Sequence, residues 1–247
     1  MIDATINGVS PKEVILARGL NTAVGGVLAL LAYLAWPTWE RSRVGDNVAA
    51  MLRAYRKYFS AVGKSYMEKR SVERFEVERA RQDGRTARTN LEASAERLAA
   101  EPGSTPDQIQ RINAILASSH RFAHAVMALE AGLPLTPDVP ARSEFRVFVA
   151  NVEKTLLLLE EILSGGRVPE KKFPNLREDH TSLLAAGDPE KERYALVNVE
   201  ADRMTNSLNT LREEIVAWSR LGRGQSTVES GIVPAAARPG KARGGGG

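Results

Sequence analysis

The sequence predicts an all-α protein: one transmembrane helix, then an antiparallel cytoplasmic helical bundle, then a disordered C-terminal tail. Three observations predict it. A run without any charged residue, Gly19 to Trp39, stands near the start of a chain of 247 residues. Behind it, apolar residues return every three or four positions through several long segments, the period of a helix and not of a strand. Beyond Gly222 the composition turns to Gly, Ala, Pro and Arg and ends in four glycines, too poor in apolar side chains to bury a core. The expected boundaries are 1–40 for the N-terminal segment with its membrane helix, 41–221 for the helical domain and 222–247 for the tail.

The uncharged run comes first. About 20 apolar residues cross a hydrocarbon core of roughly 30 Å, so its length suffices. A secretory signal peptide fits poorly, because the run starts late, lacks a small-residue cleavage site and ends in Trp36-Pro37-Thr38-Trp39. Trp36 and Trp39 suit a membrane–water interface. Arg41, Arg43, Arg53, Arg56, Lys57, Lys64, Lys69 and Arg70 follow the run, against only Lys12 and Arg18 before it. The excess of positive charge places the C-terminal region in the cytoplasm.

The helix has two unlike faces. Thr22, Gly25, Ala29 and Ala32 share one, while Leu20, Val24, Val27, Leu31 and Leu34 share the other. Small side chains let helix backbones approach closely in lipid, so Gly25, Gly26, Ala29 and Ala32 are the expected packing positions against other transmembrane helices. Arg18 falls on the small-residue face with Asn21 beside it. A charge there is a functional candidate; the alternative is an arginine at a helix end reaching to the headgroups.

A long amphipathic helix is expected from about Asp46 to Asp83, with Val48, Met51, Leu52, Tyr55, Phe59, Val62 and Tyr66 inward. Its other side is rich in Arg, Lys and Glu, either a solvated face or a contact for anionic headgroups. Gly84 is expected to interrupt it. A second helix covers Arg85 to Ala100, with Ala87, Leu91, Ser94, Ala95 and Leu98 inward, and stops at Glu101-Pro102-Gly103. Ser104-Thr105-Pro106-Asp107 starts a third, with Pro near the first helical position. It uses Ile109, Ile112, Leu116, Ala123, Val126 and Met127 and ends near Gly132. A fourth, Ala141 to Ser164, buries Phe145, Phe148, Val152, Leu156, Leu159 and Leu163. Residues 165–188 read as a loop. A last helix, Asp188 to Leu221, presents Tyr194, Val197, Ala201, Met204, Leu208, Leu211, Ile215 and Trp218 at helical spacing, with Asp188-Pro189 as its cap. Five striped helices of this kind pack as a bundle.

Composition excludes most chemistry. Cysteine is absent, which removes disulfides, Cys-ligated zinc and thiol catalysis. The chain carries 34 Lys+Arg against 30 Asp+Glu, a formal net charge of +4. That is below the charge of a dedicated nucleic-acid binder, and the basic stretch Arg81, Arg85, Arg88 has no interleaved aromatics. No nucleic-acid partner is expected. Gly25-Gly26 and Gly165-Gly166 lack the spacing and lysine of a phosphate loop. His120 and His124 share a helix face at the spacing of two metal ligands, but no third ligand accompanies them. Adjacent Glu160 and Glu161 do not converge. The sequence calls for no enzyme activity, metal or cofactor.

Two motifs carry a family resemblance. Arg18-Gly-Leu-Asn21-Thr22-Ala-Val-Gly25-Gly26, followed by Trp36-Pro37-Thr-Trp39-Glu40, resembles the last transmembrane helix of the fusaric acid resistance (FUSC) family of aromatic acid exporters. Arg88-Thr-Asn90-Leu-Glu92-Ala-Ser94-Ala-Glu-Arg97-Leu-Ala-Ala-Glu101-Pro102 is similar to the cytoplasmic helix that follows it in bacterial members. The resemblance covers residues 12–220. It implies a bacterial inner-membrane protein that takes part in efflux of small organic, often aromatic, acids or other toxic compounds. The family's members have several spanning helices and this chain offers one, so it is expected to correspond to the C-terminal part of a transporter or to a split-gene product. Its expected partners are the lipid bilayer, other transmembrane helices from a second copy or a missing N-terminal half, and a small organic acid. Arg18 would offer a positive charge to a carboxylate substrate, with Asn21 and Thr22 as nearby polar groups. The alternative classes are a single-pass membrane-anchored scaffold or regulatory subunit, and a soluble helical protein whose apolar segment is buried.

Overall fold

In the computed structural model, residues 11–35, 40–67, 74–133, 142–165, 173–186 and 195–229 are described. They form seven helices, and among them there is no strand. The chain divides into two compact units, Met1–Trp39 and Glu40–Gly247.

The first unit holds α1, Pro11–Ala35. Its large apolar side chains are exposed, among them Leu20 at 66%, Val27 at 57% and Leu28 at 60%. Among the described residues no helix is long and apolar enough to cross a membrane. The charge-free part of α1 among these residues, Gly19 to Ala35, is roughly 25 Å long at the α-helical rise, short of a hydrocarbon core of roughly 30 Å. Trp36 and Trp39 lie outside the described residues.

The second unit is built from α2 (Glu40–Met67), α3 (Arg74–Ala100), α4 (Pro106–Gly132), α5 (Ser143–Gly165), α6 (Leu176–Ala185) and α7 (Ala195–Glu229). α2 packs on α3 and α5, and α4 packs on α3 and α7. Each of these pairs runs antiparallel, as contacts at both ends show. On α2 and α3, Tyr55 meets Gly84, while Lys64 and Glu76 line one cleft. On α2 and α5, Arg53 pairs with Glu160, while Gly63 faces Val149. On α3 and α4, Arg81 faces Glu130 and Arg88 meets His120. On α4 and α7, Arg111 pairs with Glu214 and Gly132 meets Leu196. The short α6 packs on α5 and α7.

The apolar stripes meet inside this ring. Met51, Leu52, Phe59, Leu91, Ile112, Phe122, Phe145, Phe148, Leu156, Met204, Leu208 and Leu211 are fully buried. The Phe122 ring joins α4 to α2, with centroids 5.9 Å from Phe59 and 6.3 Å from Tyr55. Tyr66 meets Phe145 edge-on at 5.8 Å. Buried hydroxyls satisfy themselves on their own helices: Thr155 donates to the Asn151 carbonyl and Thr205 to the Ala201 carbonyl, each at 2.8 Å.

Several sequence expectations need correction. The helix expected over 46–83 is two helices: α2 ends at Met67 and α3 starts at Arg74. In the sequence the apolar stripe lapses after Tyr66 and Met67, where Glu68-Lys69-Arg70-Ser71 follows. Gly84 does not interrupt a helix but sits buried inside α3. A Cβ at that position would lie 3.2 Å from two ring atoms of Tyr55. Glycine there serves close packing, at a helix-propensity cost of roughly 0.5–1 kcal/mol. Residues 165–188 are not all loop. Asn175 caps α6 by accepting from the Glu178 amide at 3.3 Å, and Leu176, His180 and Leu183 are buried along its inner face. Finally, α7 continues past Gly222 to Glu229, so the expected tail boundary falls inside a helix. The expected cap Asp188-Pro189 and the stripe residue Tyr194 lie outside the described residues.

Where the third helix was expected to start, the structure agrees in detail. Thr105 accepts from the Gln108 amide at 3.3 Å, and the Gln108 side chain accepts from the Thr105 amide at 3.0 Å. This reciprocal capping box precedes Pro106 at the first turn. Gly103, in the preceding turn, has φ +101°, a conformation that favours glycine.

Candidate functional site

The sequence singles out residues on α1. Arg18, Asn21, Thr22, Gly25, Gly26 and Ala29 all lie there and are exposed. Arg18 and Thr22 occupy successive turns, and Thr22 Oγ1 donates to the Arg18 carbonyl at 2.9 Å. A Cβ added at Gly25 or Gly26 would meet nothing within 4 Å. Ala32 belongs to the same helix, with its side chain outside the described residues. The polar group of Arg18, Asn21 and Thr22 is thus gathered within about one turn by helical spacing alone.

The bundle contains polar clusters that sequence reasoning missed. At the junction of α2, α3 and α4, the Tyr58 hydroxyl donates to the Glu130 carboxylate. The second oxygen of Glu130 lies 3.6 Å from Arg81, which also pairs with Glu78. Burial and the carboxylate push the Tyr58 hydroxyl far above its ordinary pKa. Tyr66 donates to the Leu129 carbonyl at 2.7 Å and is raised to about 12 by burial. Glu130 follows Leu129 and Val126 on the inner stripe of α4; a carboxylate beside an apolar stripe was the available signal.

A second cluster joins α3 to α4. Arg88 pairs with Glu92 at 2.8 Å and contacts Nδ1 of His120. His120 Nε2 faces His124 Nε2 at 2.7 Å. An arginine side chain only donates, so Nδ1 of His120 is the acceptor and its proton sits on Nε2. That proton points at His124 Nε2, which is therefore also an acceptor. A metal bound between the two Nε2 atoms would force the proton of His120 onto Nδ1, against the guanidinium. The structure thus gives the spacing for two metal ligands a different use. Among the described residues no group of three or more His, Asp or Glu is placed to hold a metal ion.

This arrangement has a consequence for pH. Burial, Arg88 and His124 hold His120 below its ordinary histidine pKa, with Glu92 opposing them. The unfolded chain takes up the proton first as pH falls. The stabilising contribution of neutral His120 is therefore complete above about pH 6.5 and shrinks below it. Unfolding midpoints between pH 7.5 and 5 are expected to fall further for the wild-type chain than for His120→Gln, whose amide oxygen still accepts from Arg88. Equal losses in both would show that His120 does not titrate in this way.

A third cluster lies on α2 and α5. Glu160 accepts from Arg53 at 2.7 Å and stands 3.7 Å from Arg56, while its neighbour Glu161 is exposed. On α7, the Glu200 side chain is only 3% exposed and accepts from Arg203 at 2.8 Å. Burial raises the Glu200 carboxyl, with Arg203 opposing.

These features define an all-α protein with an exposed apolar helix and a helical bundle crossed by ion pairs. No protein-family model, curated protein or solved structure matches the chain.

Proposed function

We propose that the chain is a component of an inner-membrane efflux transporter for small organic acids, of the kind its two motifs resemble in the fusaric acid resistance family. The supporting observation is α1. Ile15, Leu16, Leu20, Val24, Val27, Leu28, Leu30 and Leu31 are exposed on one helix. An apolar surface of this extent marks a contact with lipid or protein. In this reading the uncharged run from Gly19 to Trp39 spans the bilayer, with the bundle on the cytoplasmic side.

The open positions at Gly25 and Gly26 then receive other transmembrane helices, from further copies of this chain or from another subunit. One helix cannot enclose a substrate path, so transport requires them. Arg18 lies toward the extracytoplasmic end and offers its charge to a carboxylate, with Asn21 beside it. The Thr22 hydroxyl donates within the helix, which leaves its lone pairs for a ligand.

Alkaline carbonate extraction of membranes that contain the expressed chain tests the span. Retention in the washed pellet is expected, and discrete oligomers on crosslinking in detergent would support assembly around a path. Retention as a monomer would favour the single-pass anchor. Release into the supernatant would overturn the reading. Within an assembled transporter, Arg18→Gln is expected to lower export of an organic acid at least tenfold, the effect of a lost charge-assisted contact of 1.5–3 kcal/mol or about that size. Unchanged export would remove Arg18 from the path.

A further inference from the structure

The bundle carries a cleft that the transport reading does not use. Its lining comes from three helices: Arg56, Lys57, Ser60 and Lys64 of α2, Glu76 of α3 and Glu153 of α5. Its volume is about 320 Å³, at the small end for ligand sites. Ala61 and Ala80 supply apolar wall.

The charges in it are unevenly arranged. All three cations stand on α2, where Arg56, Ser60 and Lys64 follow one another a turn apart with Lys57 beside Arg56, and the two carboxylates stand on the flanking helices. The Arg56 side chain is half-buried; its Nε is closed off from solvent without a hydrogen-bond partner among the described residues, which leaves the terminal nitrogens to a ligand. Its other end reaches Glu160 only at 3.7 Å, while Arg53 holds that carboxylate at 2.7 Å. A guanidinium donor is best satisfied by an oxyanion.

We propose that this cleft binds a phosphate group. Three cations and the Ser60 hydroxyl are four donor groups, which the three or four oxygens of a phosphate meet singly, whereas a carboxylate has two oxygens to share among them. The carboxylates of Glu76 and Glu153 on the flanking walls repel longer polyanions, so the site takes a single phosphate. That phosphate is free in solution or the headgroup of a lipid, and the two sources are separable. The inference does not rest on the transport reading.

Isothermal titration of the full chain in detergent tests it, with inorganic phosphate, glycerol phosphate and acetate at matched ionic strength. Saturable binding of phosphate is expected, at least tenfold tighter than acetate. Glycerol phosphate binding tenfold tighter still would identify a phosphate ester such as a lipid headgroup; comparable binding would identify the free ion. Arg56→Gln is expected to abolish binding. K57Q/K64Q changes two exposed side chains, leaves the fold intact and is expected to weaken binding at least tenfold. No saturable binding, equal affinity for acetate, or an unchanged affinity in K57Q/K64Q would overturn the proposal.

Discussion

Replacing Phe122 with alanine is expected to lower the unfolding free energy of the bundle by about 3–5 kcal/mol. Phe122 is fully exposed to other side chains and not at all to water. Its ring lies against Phe59 and Tyr55, so its loss opens a cavity where α4 meets α2. Neither neighbour is free to fill it, because Tyr55 is also wedged over Gly84. Domains of this kind are stable by only about 5–15 kcal/mol, so the change removes a large share. Urea unfolding followed by circular dichroism measures it, with Phe75→Ala as control. Phe75 is 69% exposed, and its truncation is expected to stay within roughly 0.5 kcal/mol. A loss below 1 kcal/mol or so at Phe122 would contradict the packing described.

Placing two arginines in α1 is expected to have the largest effect on location. Leu28 and Leu31 lie near the middle of the uncharged run and are 60% and 54% exposed. One arginine at the centre of a spanning helix costs about 2.5–3.5 kcal/mol on insertion scales, and L28R/L31R carries two. The variant is expected to leave the carbonate-washed membrane, while its helical content and thermal midpoint stay unchanged because α1 belongs to a separate unit. Leu184→Arg, on the exposed side of α6, is expected to leave membrane retention unaltered. Retention of L28R/L31R at the wild-type level would show that α1 is not held by a hydrocarbon core.

Much of the bundle was legible from periodicity. Val48, Met51, Leu52, Phe59 and Val62 on α2, and Met204, Leu208, Leu211 and Ile215 on α7, were expected inward and are buried. A stripe at helical spacing has one way to leave water, so pattern and burial agree. The start of α4 was legible for a different reason: its capping box is a contact between neighbours in the chain, complete without tertiary partners. The missed α6 is short, and its signal was local too. Asn175 stands before Glu178 and Asp179, the acidic first turn that suits a helix N-terminus, but Gly and Pro in the surrounding segment masked it.

Positions whose meaning depends on a distant residue were not legible. Gly84 reads as a breaker in sequence and is a packing site because Tyr55, on another helix, needs the space. His120 and His124 read as possible ligands until Arg88, from α3, sets their protons. Arg56 reads as part of a solvated helix face until α5 brings Glu160 to 3.7 Å from it. The sequence by itself determined the helical class, the inward stripes, the local cap of α4 and the charge-free run of α1, because each follows from neighbours within a few turns. Only the tertiary structure decided where α2 ends, why a glycine sits within α3, which ion pairs cross the bundle and which charges share a cleft. Those depend on residues far apart in the chain that only packing brings within contact distance.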